Sequence, residues 1–395
     1  MIFRIFLAFF VVPSTLFVCS FAQRSEPPPF GWSLRVEAES KQKKDQKKDR
    51  AKPIAPRVVQ EAGEDGEIKI ESTLILSDVL VLNGKGVPVS GLTVGDFEIT
   101  EDGRSQSIDV FAAGSSSIPR SIFLVIDHSL SQWRYIDKTV DAAKTLVNDL
   151  RPSDRMAIIS DDVSLLSELT GDKETLLKDL ESLRKKCHGG SFGQSRQYSA
   201  LYAVLNEKIE RNGTRNIVIF QTDGDELSTL GTGLNPLTFE NLFKTANRKG
   251  ATVYSVYTGP RLKDKNKKER IEIARSVMAD EAKAFHLLQR KERSFRQVSP
   301  SETYLLARAD RLQVEENALS DIAIKSGGIA QTLESADQAA GIYQNILSDI
   351  GSRYLIGYYL PDERRDNIGK EREVKISLRA KDGYKVVGGR TYVMY

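Results

Sequence analysis

Residues 121–131 read SIFLVIDHSLS, an apolar run that ends abruptly in polar side chains. Residues 122–126 are apolar without interruption, and the run stops at Asp127. Two hydroxyl side chains follow at alternate positions, Ser129 and Ser131. An unbroken apolar run is typical of a strand buried on both faces, as in a parallel sheet covered by helices. The stretch therefore predicts a buried strand that brings a carboxylate and two hydroxyls to one edge of a sheet.

From residue 119 onward, short apolar strands alternate with amphipathic helices. The predicted strands are SIFLVID, RMAIIS, NIVIFQTD, ATVYSVYTG and GIAQTL. Apolar residues recur between them at helical spacing: Ile136, Val140, Ala143, Val147 and Leu150; Leu176, Leu180 and Leu183; Leu201, Leu205 and Ile209; Phe239, Leu242, Phe243 and Ala246; and Ile342, Ile346 and Ile350. Strands that alternate with helices form parallel βαβ units. The predicted fold class is therefore α/β, with a doubly wound, mostly parallel sheet.

The segments on either side of this region are predicted to be β-rich. Residues 58–117 contain β-branched runs and a hairpin signal at Asp102-Gly103, and β-type patterns return over 354–395. The terminal strands cannot extend a parallel sheet without crossover helices, so we expect both segments to form one smaller β-rich domain. The α/β domain, residues 118–353, would then be inserted into it. A separate C-terminal pair of hairpins is the alternative, although two-stranded units are only marginally stable alone.

A highly charged segment, residues 261–316, interrupts the α/β pattern after the fifth predicted strand. It is predicted to be helical and to precede a separate helix, ALSDIAIKSGG. An insertion of this size in a compact domain is often functional, and a solvated helical hairpin is the alternative interpretation.

The N-terminal residues have the pattern of a secretory signal peptide. Arg4 precedes a long apolar stretch that ends in Ser20-Phe21-Ala22, which predicts cleavage after Ala22 and a secreted, periplasmic or cell-envelope protein. A retained membrane anchor is the alternative. No membrane span is predicted after signal cleavage. Cleavage would leave Cys187 as the only cysteine, so no internal disulfide is expected.

Residues 23–57 are predicted to be a charged linker. Its part from 40 to 57 carries eight Lys or Arg residues and two Asp residues, a charge of +6 in a chain whose formal net charge is +3. The remainder of the mature chain is therefore acidic, which argues against a nucleic-acid-binding body. Nothing in the sequence indicates an oligomeric state.

Two predicted strands end in carboxylates that we expect to lie close together. Asp127 ends the first strand, and Asp223, in FQTDGDE, ends the third. Ligands of open parallel sheets bind at the carboxyl ends of the strands. Carboxylates and hydroxyls without a nearby cation form an oxygen-only site, which selects a hard divalent ion. Mg²⁺ is the first expectation, with Mn²⁺ and Ca²⁺ as alternatives.

These residues resemble the motifs of von Willebrand factor type A domains. Asp127-His128-Ser129-Leu130-Ser131 is similar to the D-x-S-x-S signature, and Thr222-Asp223-Gly224 is similar to the later T-D-G motif. The third element differs, because GGSFGQSRQYSALYAVL stands where related chains often have Gly-Gly-Thr-Ala-Leu-Tyr. Ser199 matches the threonine best, and Ser191 and Ser195 are alternatives.

The resemblance implies a metal-ion-dependent adhesion site. Ser129, Ser131 and Ser199 would bind the metal directly, and Asp127 and Asp223 would bind it directly or through water. The last coordination position would accept a carboxylate from a partner protein. The flanking segments also resemble a secreted bacterial von Willebrand factor A-related family, and the resemblance extends over residues 65 to 395 except the insertion.

The sequence therefore predicts a metal-dependent binding and adhesion module and no enzyme. It contains no P-loop, H-E-x-x-H or C-x-x-C motif. Two alternatives stay open: a metal-independent scaffold, because Ser199 replaces threonine, and a Mg²⁺-dependent phosphoryl-transfer enzyme.

Three further polar positions near the motifs are interpreted as structural. His128 is expected to point away from the metal. Asp225 is interpreted as a turn residue, with an indirect role at the metal as the alternative. Asp161 and Asp162 are expected to shape a turn after the second strand, and the Cys187-His188 pair is interpreted as a loop feature.

Overall fold

The structure is a computed structural model, and it describes residues 30–34, 74–113, 118–210, 214–226, 238–289, 300–359, 371–379, 383–388 and 390–393. The predicted signal peptide and most of the predicted linker lie outside these residues. Within the described part of the chain, no helix combines the length and apolar character needed to cross a membrane.

The chain alternates strands and helices over most of its length. The strands are β1 (Leu74–Leu82), β2 (Phe97–Glu101), β3 (Arg104–Gln106), β4 (Val110–Ala112), β5 (Arg120–Ile126), β6 (Arg155–Ser160), β7 (Ser164–Thr170), β8 (Arg215–Thr222), β9 (Ala251–Thr258), β10 (Ala330–Leu333), β11 (Tyr354–Tyr359), β12 (Glu371–Leu378), β13 (Lys385–Val387) and β14 (Arg390–Val393). The helices are α1 (Ile136–Asn148), α2 (Lys173–His188), α3 (Gln197–Ala203), α4 (Phe239–Lys249), α5 (Lys267–Gln289), α6 (Glu302–Lys325) and α7 (Ala339–Ser352). A π-helical turn, Val204–Lys208, continues α3.

A six-stranded sheet forms the centre of the molecule, in the order β10-β9-β8-β5-β6-β7. All neighbouring pairs are parallel except β6 and β7. The predicted α/β fold class, with a doubly wound, mostly parallel sheet, is confirmed. Strand β7 was absent from the predicted strands, because SLLSELT is only partly buried at an edge and lacks a continuous apolar run.

Strand β5 explains why helices cover both faces of this sheet. Every residue of β5 is buried, and successive side chains point to opposite faces. Ile122, Leu124 and Ile126 pack into a core formed with α1, α2 and α7. Phe123 and Val125 pack into a second core with α3, α4 and the end of α6. The unbroken apolar run of β5 thus supplies side chains to the cores on both faces of the sheet.

Two four-stranded antiparallel sheets combine strands from both ends of the described chain. Their orders are β13-β1-β11-β4 and β14-β12-β2-β3. The turn between β2 and β3 has positive φ at Asp102 (48°) and Gly103 (76°), the backbone that a two-residue hairpin favours. These sheets share a core that includes Phe97 and Tyr354, so the α/β region is inserted into a smaller β-rich part, as the fold class predicts.

The charged insertion forms a helical hairpin of α5 and α6. The sequence predicted a separate helix after residue 316, and this boundary is wrong, because α6 runs without a break from Glu302 to Lys325. Leu305, Leu312 and Leu319 are buried on one side of α6. The first two pack in a small core within the hairpin, whereas Leu319 packs under the central sheet. One helix thus serves both cores, and a break at residue 316 would separate them.

Residues 30–34, within the segment interpreted as a linker, pack on the α/β region. The carboxylate of Glu207 accepts hydrogen bonds from the backbone N–H groups of Gly31 (2.8 Å) and Ser33 (2.9 Å). Phe30 packs against the core beneath α3. This short piece is therefore held on the surface of the domain.

Candidate metal centre

The two predicted carboxylates lie at the same edge of the sheet. Asp127 follows β5 and Asp223 follows β8, and these two strands are parallel neighbours. The Asp127 N–H donates to the carbonyl of Gln221 at 3.0 Å, which extends the ladder to the motif itself. Both aspartates are buried, at 1% and 8% exposure.

Four of the five predicted site residues are joined by hydrogen bonds. The Ser129 N–H donates to Asp127 Oδ1 at 2.8 Å, and the hydroxyls of Ser129 and Ser131 are 3.1 Å apart. The Ser131 hydroxyl hydrogen-bonds the carboxylate of Asp223. Thr222, from the T-D-G motif, donates its hydroxyl to Asp127 Oδ2 at 2.7 Å. The structure thus brings the two motifs together into one network of oxygen atoms.

The electrostatics of this network disfavour two negative charges. Burial, together with repulsion from Asp161 and Asp223, raises the pKa of Asp127 well above its ordinary value. Burial also raises the pKa of Asp223, although the hydrogen bond from Ser131 opposes this shift. Among the described residues, no lysine or arginine forms an ion pair with either carboxylate. A bound cation would remove this repulsion.

Ser199 is buried at the start of α3, and its side-chain partner is a glutamate outside the predicted motifs. The Ser199 hydroxyl donates to Glu226 Oε1 at 2.8 Å. Glu226 Oε2 also accepts from the backbone N–H groups of Tyr198 (2.6 Å) and Ser199 (3.3 Å). A hydroxyl that donates its proton keeps lone pairs for another interaction. Glu226 thus ties α3 to the T-D-G loop, and no motif signalled this contact.

The alternative hydroxyls, Ser191 and Ser195, have different surroundings. Ser191 is exposed. Ser195 has a positive φ of 52°, and its N–H donates to Asp161 Oδ2 at 2.8 Å. Ser199 is the only one of the three predicted hydroxyls that is fully buried.

Asp161 does more than shape its own turn. Its carboxylate also accepts a hydrogen bond from the His128 N–H at 3.0 Å and contacts the His128 ring. Gly193 lies so close that a Cβ there would be 1.9 Å from Asp161 Oδ1. Asp161 therefore joins the first motif to the loop before α3, and it holds His128 in a buried packing position.

Asp225 is held by the insertion as well as by its own turn. Its N–H donates to Asp223 Oδ1 at 3.0 Å. Its carboxylate forms ion pairs with Arg308 (3.2 Å) and with Arg311, both on α6. The interpretation of Asp225 as a turn residue is thus incomplete, and the sequence offered no signal that residues 83 and 86 positions later would contact it.

Glu315, on the same helix, is a further buried acid behind this loop. Burial, with repulsion from Asp225 and Asp223, raises its pKa to about 8. The backbone of Gly224 has a φ of 79°, and a Cβ there would lie 3.1 Å from the Cβ of Glu315. Glycine is therefore required where α6 packs on the T-D-G loop.

The Cys187-His188 pair lies in the last turn of α2, so its interpretation as a loop feature is wrong. The thiol is buried, and burial raises its pKa to about 12. His188 Nε2 is 2.8 Å from Asp137 at the surface. The pair therefore has neither the thiolate nor the shared geometry of a nucleophile.

The residues present fit a hard cation. Within the described ranges, no three His, Cys, Asp or Glu side chains converge as metal ligands. The candidate set is of a different kind, since it combines two buried carboxylates with hydroxyl oxygens. Oxygen donors of this type suit Mg²⁺, Mn²⁺ or Ca²⁺.

One family model matches the central region of the chain. The family model described as "von Willebrand factor type A domain" matches residues 121–291. No curated protein sequence matches the chain.

Several solved structures match part of this chain at low sequence identity and with low TM-scores. The conserved hypothetical protein BatB from Bacteroides thetaiotaomicron is 14% identical, with 58% of this chain and 98% of that chain covered and a TM-score of 0.34. Manganese-loaded TRAP protein from Plasmodium vivax is 12% identical, with 75% and 98% covered and a TM-score of 0.32. The vWF domain of the type V pili tip protein Mfa5 from Porphyromonas gingivalis is 11% identical, with 60% and 96% covered and a TM-score of 0.34.

Proposed function

We propose that this protein binds an acidic group of a partner protein through a divalent cation. The match of residues 121–291 to the von Willebrand factor type A model supports this proposal. The single observation that carries the proposal is the oxygen network of Asp127, Ser129, Ser131 and Asp223. It combines two buried carboxylates and two hydroxyls at the carboxyl edge of the sheet. The repulsion between the carboxylates makes a cation the natural complement of this site.

Each residue has a distinct role in the proposed site. Ser129, Ser131 and Ser199 would offer hydroxyl oxygens to the metal, and Asp127 and Asp223 would bind it directly or through water. Mg²⁺ is the first choice, with Mn²⁺ or Ca²⁺ as alternatives. A cation held by so few negative ligands stays electrophilic and accepts an incoming carboxylate. Glu226 keeps α3 and its Ser199 hydroxyl at the T-D-G loop.

A binding role explains the site better than catalysis does. Ser129 occupies the position at which a phosphoryl-transfer site of the Asp-x-Asp type has its second carboxylate. The buried Cys187 thiol has a raised pKa and is not a nucleophile. With the predicted signal peptide, the proposed place of action is outside the cytoplasm, at the cell envelope or beyond it.

Calorimetric titration of the mature protein with Mg²⁺ and Mn²⁺ tests the proposal. We expect saturable binding to the wild type and none to Asp127→Asn, which keeps the shape of the side chain but removes its charge. The matched control is Asp337→Asn, a substitution of an exposed surface aspartate far from the motif in sequence. Equal binding by wild type and Asp127→Asn would contradict the proposed site.

Absence of any binding would instead favour a metal-independent scaffold. One observation is consistent with that alternative: the Ser199 hydroxyl already has a partner in Glu226 without a metal. The thermal midpoint of the wild type distinguishes the two cases, because a ligand that binds only the folded state raises it with increasing concentration. A midpoint that does not respond to Mg²⁺ or Mn²⁺ would support the scaffold.

A further inference from the structure

A cavity of about 300 Å³ lies directly beside the proposed metal site. Ser131 and Asp223, two of the predicted ligands, line one side of it. Val277, Ala284 and Leu312 of the α5–α6 hairpin line the other side. Ligand pockets in proteins begin at about this volume. The charged insertion thus builds a wall that the central sheet alone would lack.

Ion pairs fasten this wall to both motif-bearing loops. Arg308 and Arg311 of α6 hold Asp225, whose N–H in turn donates to Asp223. Asp280 of α5 pairs with Arg134, three residues after Ser131. The hairpin is therefore positioned relative to the proposed ligands from two directions.

Apart from Asp223, the charged side chains that line the cavity already have ion-pair partners. Arg308 also pairs with Glu281 at 2.9 Å, and Lys283 lies 3.6 Å from Asp280. Paired charges offer little attraction to a further charged group. The remaining lining is largely apolar and includes Trp133, which is only half-buried. The part of a ligand that enters here is therefore expected to be uncharged and apolar.

We propose that the α5–α6 hairpin forms a specificity pocket for a bulky apolar side chain adjacent to the partner's metal-bound acidic residue. The occupant is a segment of a partner protein in which Asp or Glu stands next to an aromatic or large aliphatic residue. The carboxylate would bind at the metal beside Ser131 and Asp223, and its apolar neighbour would pack between Trp133 and Val277. This inference rests on the proposed metal-dependent function and adds the class of sequence that the site selects.

The test compares short fluorescein-labelled peptides by anisotropy with the mature protein in Mg²⁺. Two probes carry Phe-Asp or Asp-Phe between glycines, a third replaces Phe by Ser, and a fourth replaces Asp by Asn. We expect the better Phe probe to bind about tenfold more tightly than the Ser probe, as burial of an aromatic side chain would give. The Asn probe is expected to show no Mg²⁺-dependent binding.

Two variants, each with one added carboxylate, test whether the preference for Phe arises in the cavity. Val277→Asp puts a carboxylate into the cavity and is expected to reduce the preference for Phe to about twofold or less. Val314→Asp adds the same charge on the exposed face of α6, where Val314 is 51% exposed, and is expected to keep the preference. Magnesium titration and thermal unfolding of both variants show whether the site and the fold are retained.

The outcomes separate the two proposals. Equal, Mg²⁺-dependent binding of the Phe and Ser probes would overturn the pocket and leave the metal function standing. Loss of Mg²⁺ dependence for every Asp probe would overturn the metal function and the pocket with it. A preference for Phe that is unchanged in a folded Val277→Asp would also overturn the pocket. If Val277→Asp does not fold, the ratio of the wild-type affinities for the Phe and Ser probes decides whether the pocket exists.

Discussion

Strands β5 and β8 carry charged residues at both ends, and the two ends differ in how those charges are compensated. At the amino ends, Arg120 pairs with Asp154, and Arg215 pairs with Asp78 at 2.8 Å. At the carboxyl ends, Asp127 and Asp223 have no ion-pair partner among the described residues. All of these groups are buried, so the difference lies in charge compensation rather than in solvent access.

The pKa values follow this difference. Burial opposes the ionisation of Asp154, but hydrogen bonds from Arg120 and Arg151 outweigh it and lower its pKa. At the other edge, burial raises the pKa of Asp127, and neighbouring carboxylates raise it further. Uncompensated buried charge destabilises a fold, so it is informative where it occurs. The amino edge is therefore expected to contribute stability, and the carboxyl edge is the proposed cation site.

The largest expected effect is at the amino edge. Arg215→Met removes the ion-pair partner of Asp78, which is only 4% exposed. The ion pair that joins β1 to β8 is then lost. Breaking one side of a buried ion pair costs about 3–5 kcal/mol of unfolding free energy. Urea unfolding measures this loss, and Lys138→Met, from an exposed ion pair, is the control with little expected change.

Magnesium affinity should be nearly unchanged in Arg215→Met, because the substitution lies at the opposite edge of the sheet. A similar loss of stability in Arg215→Met and in Lys138→Met would contradict the proposed division between the two edges of the sheet. Loss of metal binding in Arg215→Met would contradict it as well.

A smaller change in unfolding free energy, of opposite sign, is expected for Asp127→Asn in the absence of metal. The raised pKa means that the folded state holds the proton more tightly than the unfolded state does. Stability from this group is therefore fully present below the ordinary aspartate pKa, about 4, and is lost as pH rises through the folded pKa. Asparagine does not ionise, so we expect the variant to be more stable than the wild type at pH 7 and this advantage to disappear near pH 4.

Urea unfolding in EDTA from pH 4 to pH 8 measures this difference, with Asp337→Asn as the surface control. A variant that is less stable than the wild type at pH 7 would show that the charge of Asp127 is compensated in the free protein.

The smallest expected effect concerns the hydroxyl on α3. Ser199→Thr adds a β-branch that restricts χ1 and holds the hydroxyl in one rotamer, so Mg²⁺ affinity is expected to rise about threefold. Calorimetric titration measures the change. Ser191→Thr, at the exposed alternative position, is expected to leave the affinity unchanged, and the reverse result would move the third ligand to Ser191.

The sequence predicted much of the fold and the centre of the candidate site. The apolar run before Asp127 and the T-D-G motif after a second run predicted two adjacent strands, and the carboxyl ends of parallel neighbours necessarily meet. Strand β7 and the unbroken helix α6 were not predicted, because a partly exposed edge strand and a charged helix have weak apolar periodicity.

The site residues that were missed share one property. Glu226, Arg308 and Arg311 act through contacts between loops and helices that are distant in the chain. The same is true of the unpredicted contact between Asp161 and Ser195. No sequence spacing predicts the contact between Asp225 and α6, because this contact depends on how the hairpin packs on the sheet. Such residues are found only when the packing is known.

The amino-acid sequence alone thus determines that a buried parallel sheet presents Asp127, Ser129, Ser131 and Asp223 at one edge. Alternation along a strand and the direction of parallel neighbours are local properties, which apolar patterns encode directly. Tertiary structure decides that Glu226 holds Ser199, and that the α5–α6 hairpin walls a cavity beside the site. Those features depend on side chains brought together from distant segments, where burial and charge pairing select the contacts.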